Sequence, residues 1–294
     1  MTRPLRLAIN GASGRMGGAL LGLLRDDTRF ELAHAVVAPG SDRDGLPVHP
    51  GHDDSLRYAH GWDDAPPLDV VIDFSSPAAL AAALDHCLAR RVALVSGTTG
   101  LDARLEQRLD DACSQLAILR AANFSLGVVV LMRLLREAAT ALPGWDLEIV
   151  EAHHSRKQDA PSGTALALGH AAAAARRIAL DTAAIYSREG RTGERPPGSI
   201  GFATVRGGDI VGEHTAMLIG QGERLALTHR ATDRSIVARG ALQAAYWLAG
   251  RGSGRWPLDD VIATVGAGGL LSRVVRRCDR APRPSGCRAG QTLS

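Results

Sequence analysis

The feature that most constrains this chain is the alternation, through its first 124 residues, of short apolar runs with helix-length segments. LRLAIN (5–10) reads as a strand, and RMGGALLGLLR (15–25) places apolar residues at helical spacing. ELAHAVV (31–37) reads as a second strand, followed by a long irregular connection over 38–68, rich in Pro, Gly and Asp. DVVIDF (69–74), RVALVSG (91–97) and LAILRAANF (116–124) are apolar enough to be buried on both faces. Ser76-Pro77 opens an Ala-rich helix, with Ser as N-cap and Pro at the first helical position. Apolar strands separated by helices predict a doubly wound parallel sheet.

The first strand runs into a glycine loop, INGASGRMGGAL, that opens the first helix. Gly11 permits a tight turn, Gly14 lets backbone N–H groups approach a pyrophosphate, and Gly17 allows close packing of helix on strand. The helix N-terminus then faces the phosphates with its partial positive charge. The spacing alone also suits an ordinary glycine-rich βα turn; its position in a doubly wound domain favours a Rossmann-like dinucleotide site, where Arg15 can add a charge to a phosphate. After the second strand, where an acidic residue would meet the ribose 2′-hydroxyl, the chain has Val37 and Ala38; Asp42 and Arg43 come later. NADH and NADPH both stay open. SGTTG (96–100) and AANFS (121–125) end two further strands, where such sheets bind ligands, and can line the nicotinamide end of the crevice.

After Asn123 the grammar changes. A helix is predicted over roughly 126–142, then WDLEIVEAHH, a loop, and an Ala-rich helix near 163–177. Residues 198–229 read as strands joined by short Gly-containing turns, which predicts antiparallel pairing in an open sheet. Residues 233–250 read as a helix that returns to cover the first sheet. The expected division is a dinucleotide-binding domain of 1–124 with 233–271 and a substrate-binding and oligomerisation domain of 125–232, an α+β unit with an open mixed or antiparallel sheet. A basic flexible tail is expected over 272–294. That tail, with six arginines from Arg273 onward against one aspartate, supplies the whole net charge of +3, so the balance argues little for nucleic-acid binding. No apolar run approaches a membrane span, the N-terminal residues enter a strand pattern, and the four cysteines form no Cys-x-x-Cys pair. These features fit a cytoplasmic chain without a zinc cage or disulfide framework.

EAHHSRKQDAPSGTA (151–165) holds Lys157, the only lysine among 34 basic side chains. Arginine bias could leave one lysine by chance. The alternative is a position that needs an amine able to release a proton, which guanidinium cannot do at ordinary pH. His153 sits four residues earlier, at the end of a strand, and supplies acid/base chemistry near neutral pH. Ser162 or Thr164 can cap the next helix while free N–H groups bind an anion such as a carboxylate. His153 and His154 point to opposite faces of a strand, and no ligand cluster is spaced for a metal.

This stretch resembles the signature of the 4-hydroxy-tetrahydrodipicolinate reductase (dihydrodipicolinate reductase) family of lysine and diaminopimelate biosynthesis. The resemblance extends through NGASGRMG, VVIDFSSP, SGTTG, AANFSLGV, YSREGRTGERPPGSIGFATVRGGDIVGEHTAML and ERLALTHRATDR, covering nearly all of 5–262 in order. It implies a cytoplasmic NAD(P)H-dependent oxidoreductase, typically a homotetramer assembled through the second domain's sheet, acting on a small dicarboxylate. It implies Gly11, Ala12, Ser13, Gly14, Arg15 and Met16 as the pyrophosphate loop. Gly97, Thr98, Thr99, Ala121, Ala122, Asn123 and Phe124 would be the nicotinamide-side contacts. It further implies His153 as the acid/base, Lys157 as the proton donor, and His154, Ser162, Gly163 and Thr164 as the groups holding substrate carboxylates. Many members carry an acidic residue where this chain has Val37, and some an adjacent arginine where it has Ala38. The tail has no counterpart in the family pattern.

Two other readings start from the same loop. A related dehydrogenase could act on another amino-acid precursor, which a substrate panel would distinguish. A nucleotide-sensing regulator would use Gly11–Gly17 but leave His153, Lys157 and the Ser-Gly-Thr turn without a purpose.

Overall fold

A computed structural model describes residues 3–48 and 56–265. The Arg-rich stretch 272–294 and part of the long connection after the second strand lie outside the described residues. The first half runs β1 (Leu5–Asn10), α1 (Arg15–Leu24), β2 (Phe30–Val36), β3 (Tyr58–Ala59), β4 (Val70–Asp73), α2 (Pro77–Arg90), β5 (Ala93–Ser96), α3 (Ala103–Ala112) and β6 (Ala117–Arg120). It continues with α4 (Leu126–Ala141), β7 (Asp146–His153), α5 (Gly163–Ala175), α6 (Leu180–Ala183), β8 (Ala184–Ile185), β9 (Ile200–Arg206), β10 (Gly212–Ile219) and β11 (Arg224–Ala231). The described chain ends with α7 (Ser235–Leu248), β12 (Gly254–Arg255) and α8 (Leu258–Val265).

The first sheet has seven strands in the order β12-β6-β5-β4-β1-β2-β3, every pair parallel. Strand order reverses between β1 and β4, which opens a crevice beyond their carboxyl ends. The central strands are apolar because both faces are covered: Leu7, Ile9, Val70, Ile72 and Leu94 are fully buried. As the sequence predicts, α7 returns after the second sheet and packs against α1 and the central strands. Gly240 lets α7 approach closely, since a Cβ there would collide with the Phe124 carbonyl.

The helix starts follow local chemistry. Ser76 accepts from the Ala79 amide with Pro77 at the first position, and Asp102 and Ser125 cap α3 and α4 in the same way. Helix α1 is different: its N-cap is Gly14, and no side chain caps it.

The second sheet has five strands in the order β11-β10-β7-β9-β8. Strands β11, β10 and β7 are antiparallel neighbours, whereas β7, β9 and β8 are parallel. The sheet is thus the mixed one of the two expected forms; within 198–229 the antiparallel pairing expected of consecutive strands holds for β10 with β11 but not for β9 with β10. The link from β7 to β9 carries α5, α6 and β8, a crossover of the kind that delivers parallel strands. The short turn after β9 does not make a hairpin either, because β7 lies between β9 and β10. Helices α4 and α5 cover one face of this sheet, around Leu147, Ile149, Phe202, Ala216 and Leu218. Among the described residues no helix covers the opposite face, where Val150, Val205, Met217 and Ile219 lie. No described helix is long and apolar enough to cross a membrane.

Candidate active site

Strand β7 carries the transition from core to chemistry. Its inward face reads Leu147, Ile149, Glu151, His153, with burial alternating along the strand. Glu151 is 1% exposed, yet it is ionised. Burial raises its carboxyl, but the Arg206 guanidinium and the His153 ring outweigh that and hold it at about 2. Its Oε2 lies 2.6 Å from His153 Nδ1, and its Oε1 accepts from the Ser162 amide at 3.1 Å. A carboxylate at that distance assigns the proton of His153 to Nδ1 and leaves Nε2 for exchange. Nε2 lies beside Gly212, where a Cβ would stand only 3.1 Å from it.

Across the sheet, His214 of β10 pairs in register with Glu151. Its ring meets that of His153 edge-on at 5.2 Å, and its Nε2 lies 3.0 Å from Ser162 Oγ. Burial, reinforced by the facing His153, pushes His214 down to about 4, so the ring is neutral. Burial likewise pushes His154 and His229 down, with Arg234 adding to the effect on His154.

Lys157 follows in the loop, and its Nζ meets both carboxylate oxygens of Asp159 at 2.7 and 2.8 Å. The loop enters α5 at its cap, Ser162, whose hydroxyl accepts from the Ala165 amide. Both the amide and the hydroxyl of Ser162 are therefore committed within the protein, and the side chain is buried. Its part in an anion site is to hold the turn. The groups left to meet an anion are the first-turn N–H groups from Gly163 and the hydroxyl of Thr164. Asn123, at the junction of the two sheets, donates to that hydroxyl at 3.2 Å.

Two adjoining cavities form one cleft. A cavity of about 330 Å³ contains Met16, Asn123, His153, His154, Lys157 and Thr164, together with His214, His229 and Arg234. A larger one of about 790 Å³ contains Thr99, Ala121, Ala122, Asn123, His153, Lys157, Ser162, Gly163 and Thr164. The structure thus brings together the strand ends of the first sheet and the 151–165 stretch of the second. Gly11, Ala12, Ser13, Gly14 and Arg15 lie outside these linings, and the glycine loop reaches the cleft through Met16.

The glycine loop fits a nucleotide backbone. Gly11 has φ +83°, and a Cβ there would collide with the Phe74 carbonyl, while a Cβ at Gly17 would collide with the carbonyls of Gly11 and Ala12. With no side-chain cap on α1, its first-turn N–H groups are left to an anion. Val37 points into the core at 2% exposure, and Ala38 is exposed in its place.

Three residues of the nicotinamide-side set are occupied within the protein. Phe124 is fully buried, edge-on to Phe74 at 5.6 Å, so its ring belongs to the core. Gly97 packs against the Phe74 ring with no room for a Cβ. The Thr98 hydroxyl donates to Asp73 at 2.7 Å and accepts from the Ser75 amide at 3.0 Å. Asp73, fully buried, also accepts from Asn10, Ser75 and Ser96, so one carboxylate ties together the ends of β1, β4 and β5 beneath the crevice.

Sequence reading missed Glu151, Asp159, Arg206, His214, Arg234 and Asp73. Glu151 was within reach, because residues two apart on a strand share a face. Arg206 and His214 meet it only through strand register.

Two family models match consecutive parts of the chain: dihydrodipicolinate reductase, N-terminus, over 5–124, and dihydrodipicolinate reductase, C-terminus, over 127–262. Among curated relatives, 4-hydroxy-tetrahydrodipicolinate reductase of Nitrosomonas eutropha is 44% identical over 265 residues, spanning 88% of this chain and 98% of that protein. The same enzyme of Thiobacillus denitrificans is 44% identical over 271 residues, with the same coverage of 88% and 98%. A dipicolinate-bound dihydrodipicolinate reductase from a Paenisporosarcina species shares the fold, with a TM-score of 0.72 at 23% identity over 87% of this chain and 99% of that one.

Proposed function

The chain belongs to the dihydrodipicolinate reductase family, and from that premise we propose how its cleft performs the family's reaction. The protein is an oxidoreductase that reduces 4-hydroxy-tetrahydrodipicolinate, or its dehydrated form, to tetrahydrodipicolinate in the synthesis of diaminopimelate and lysine. From the 4-hydroxy compound the overall change takes up one hydride and one proton and releases water; from its dehydrated form it takes up the hydride and the proton alone. When bound, the reduced nicotinamide supplies the hydride. Everything else is the work of this chain's own side chains and backbone amides.

The observation that carries this reading is that His153, Lys157 and the N-terminus of α5 share one cleft with the strand ends Thr99 and Ala121–Asn123. The uncapped start of α1 and the loop Gly11–Met16 hold the pyrophosphate, with Gly17 letting the helix pack close beneath it. Thr99, Ala121, Ala122 and Asn123 face the nicotinamide end. A dicarboxylate is held by Lys157, His154 and Arg234 and by the amides at Gly163 and Thr164. His153, fixed through Nδ1, exchanges a proton at Nε2, and Lys157 donates the proton that accompanies reduction.

The first sheet with α7 and α8 forms the nucleotide domain, and the second sheet with α4 and α5 forms the substrate domain. The uncovered face of the second sheet, where Val205 is 48% exposed, serves assembly into a homotetramer. The enzyme works in the cytoplasm, consistent with free thiols at Cys87 and Cys113. NADPH and NADH both serve, since no carboxylate stands at Val37 to repel a 2′-phosphate.

Steady-state turnover with the dicarboxylate substrate, followed at the nicotinamide absorbance, tests this reading. Turnover is expected. Nucleotide binding without turnover would favour the sensing regulator, and turnover confined to another amino-acid precursor would favour the related dehydrogenase.

A further inference from the structure

One guanidinium touches the supports of both proton-handling groups. Arg206 ends β9, in register with His153 across the parallel β7–β9 pair. Its Nη1 donates to Glu151 Oε2 and its Nη2 to Glu151 Oε1, each at 2.7 Å. Nη2 also donates to the peptide oxygen of Asp159, again at 2.7 Å. Glu151 is the carboxylate that fixes His153, and Asp159 is the residue whose side chain grips Lys157. We propose that Arg206 is the positioning residue that sets His153 and Lys157 in place relative to each other. The inference rests on the reading of those two groups as the proton-handling pair.

The loop between β7 and α5 carries Lys157 and needs fixed points. The Ser155 amide donates to Gly208 O at 3.2 Å, and the Ser162 amide donates to Glu151 Oε1 at 3.1 Å. Between those ends, the Arg206 bond to Asp159 O is the tie from the loop to β9. The same planar fork holds the Glu151 carboxylate bidentately, so a shift of that carboxylate moves His153 and a shift of the peptide moves Lys157. Arg206 lines neither cavity, so it acts through these groups and does not touch substrate. Lysine would restore the charge but not the fork, because one ammonium cannot reproduce the planar set of bonds to two acceptors.

Arg206→Gln strands the buried Glu151 carboxylate, so Arg206→Lys, which keeps a cation, carries the test, with thermal unfolding and nucleotide affinity confirming the fold. Turnover is measured for Arg206→Lys alone, in the His153→Gln background and in the Lys157→Arg background. Alone, Arg206→Lys is expected to lower kcat by about 10- to 100-fold, the scale of a displaced catalytic group, with nucleotide affinity within about twofold. In each background the same substitution is expected to cost less than it does alone, because the part of its effect that runs through the group already lost disappears while the part through the other group remains. A kcat within about twofold of wild type, or an undiminished loss in both backgrounds, overturns the proposal. Near-normal turnover in His153→Gln and Lys157→Arg themselves overturns the reading of those groups, and the inference with it.

Discussion

The Lys157 ammonium sits against both oxygens of the Asp159 carboxylate, at 2.7 and 2.8 Å, on the wall of the cleft. The hydrogen bond from Lys157 holds the Asp159 carboxyl below the usual carboxylate range. With Asp159 60% exposed and Lys157 20% exposed, water screens the pair, and its contribution to stability is small. Its value is geometric, since it fixes a flexible four-carbon side chain on the wall of the cleft that His153, Gly163 and Thr164 also line.

Lys157→Arg separates charge from proton donation. Arginine keeps the cation and can still fork onto Asp159. It cannot deliver a proton usefully, because its pKa lies too high. Turnover is expected to fall by about 10² to 10⁴, the range for a general acid, with folding and nucleotide affinity retained. His153→Gln is expected to fall similarly. Near-normal turnover in Lys157→Arg would return this lysine to electrostatics.

Much of this site was legible before the structure. The lone lysine, the two histidines and the Ser-Gly-Thr turn lie within one continuous stretch, and local signals such as a helix cap are written in adjacent residues. What escaped was the support behind them. Arg206 lies far along the chain from His153, and only the parallel β7–β9 register brings them together. The strand order of the second sheet was hidden for the same reason: a short turn after β9 reads as a hairpin, whereas β7 occupies the place beside β10. Ser162 was legible as a cap, but the partners that use up its amide and hydroxyl, Glu151 and His214, sit on the sheet.

Cofactor choice is the second test. Val37 is buried in the core and Ala38 is exposed, so this position offers neither a carboxylate for a ribose hydroxyl nor a cation for a 2′-phosphate. Both NADPH and NADH are expected to support turnover, with NADPH at least as good in kcat/KM. A preference for NADH above about tenfold, roughly 1.4 kcal/mol, would contradict this.

Thr164→Val keeps the shape of the side chain and removes its hydroxyl. That hydroxyl takes a hydrogen bond from Asn123, which leaves its own proton for a substrate carboxylate. Dicarboxylate affinity is expected to weaken by about 1.5–3 kcal/mol, as for a hydrogen bond to a charge, with nucleotide affinity unchanged. An equal loss of both affinities would make the turn purely structural.

The last prediction concerns pH and His214. Burial, with His153 close by, pushes this ring from 6.5 to about 4 in the folded protein, while the unfolded chain keeps the ordinary value. The groups facing it are His153, Glu151, His229 and Lys157, and of these Glu151 alone favours the charged ring. Between pH 6.5 and 4 the unfolded state therefore binds the extra proton and the folded state does not. Stability is fully present above 6.5 and declines as pH falls toward 4. The decline assigned to this ring is on the order of 2–3 kcal/mol. In His214→Gln that component disappears, although the variant starts from a lower stability because the contact with Ser162 is altered. Urea unfolding across pH 4 to 7 reads the difference as a narrowing gap between wild type and variant on acidification. Two curves running parallel through that interval would mean that His214 titrates alike in the folded and unfolded states and carries no part of the acid sensitivity.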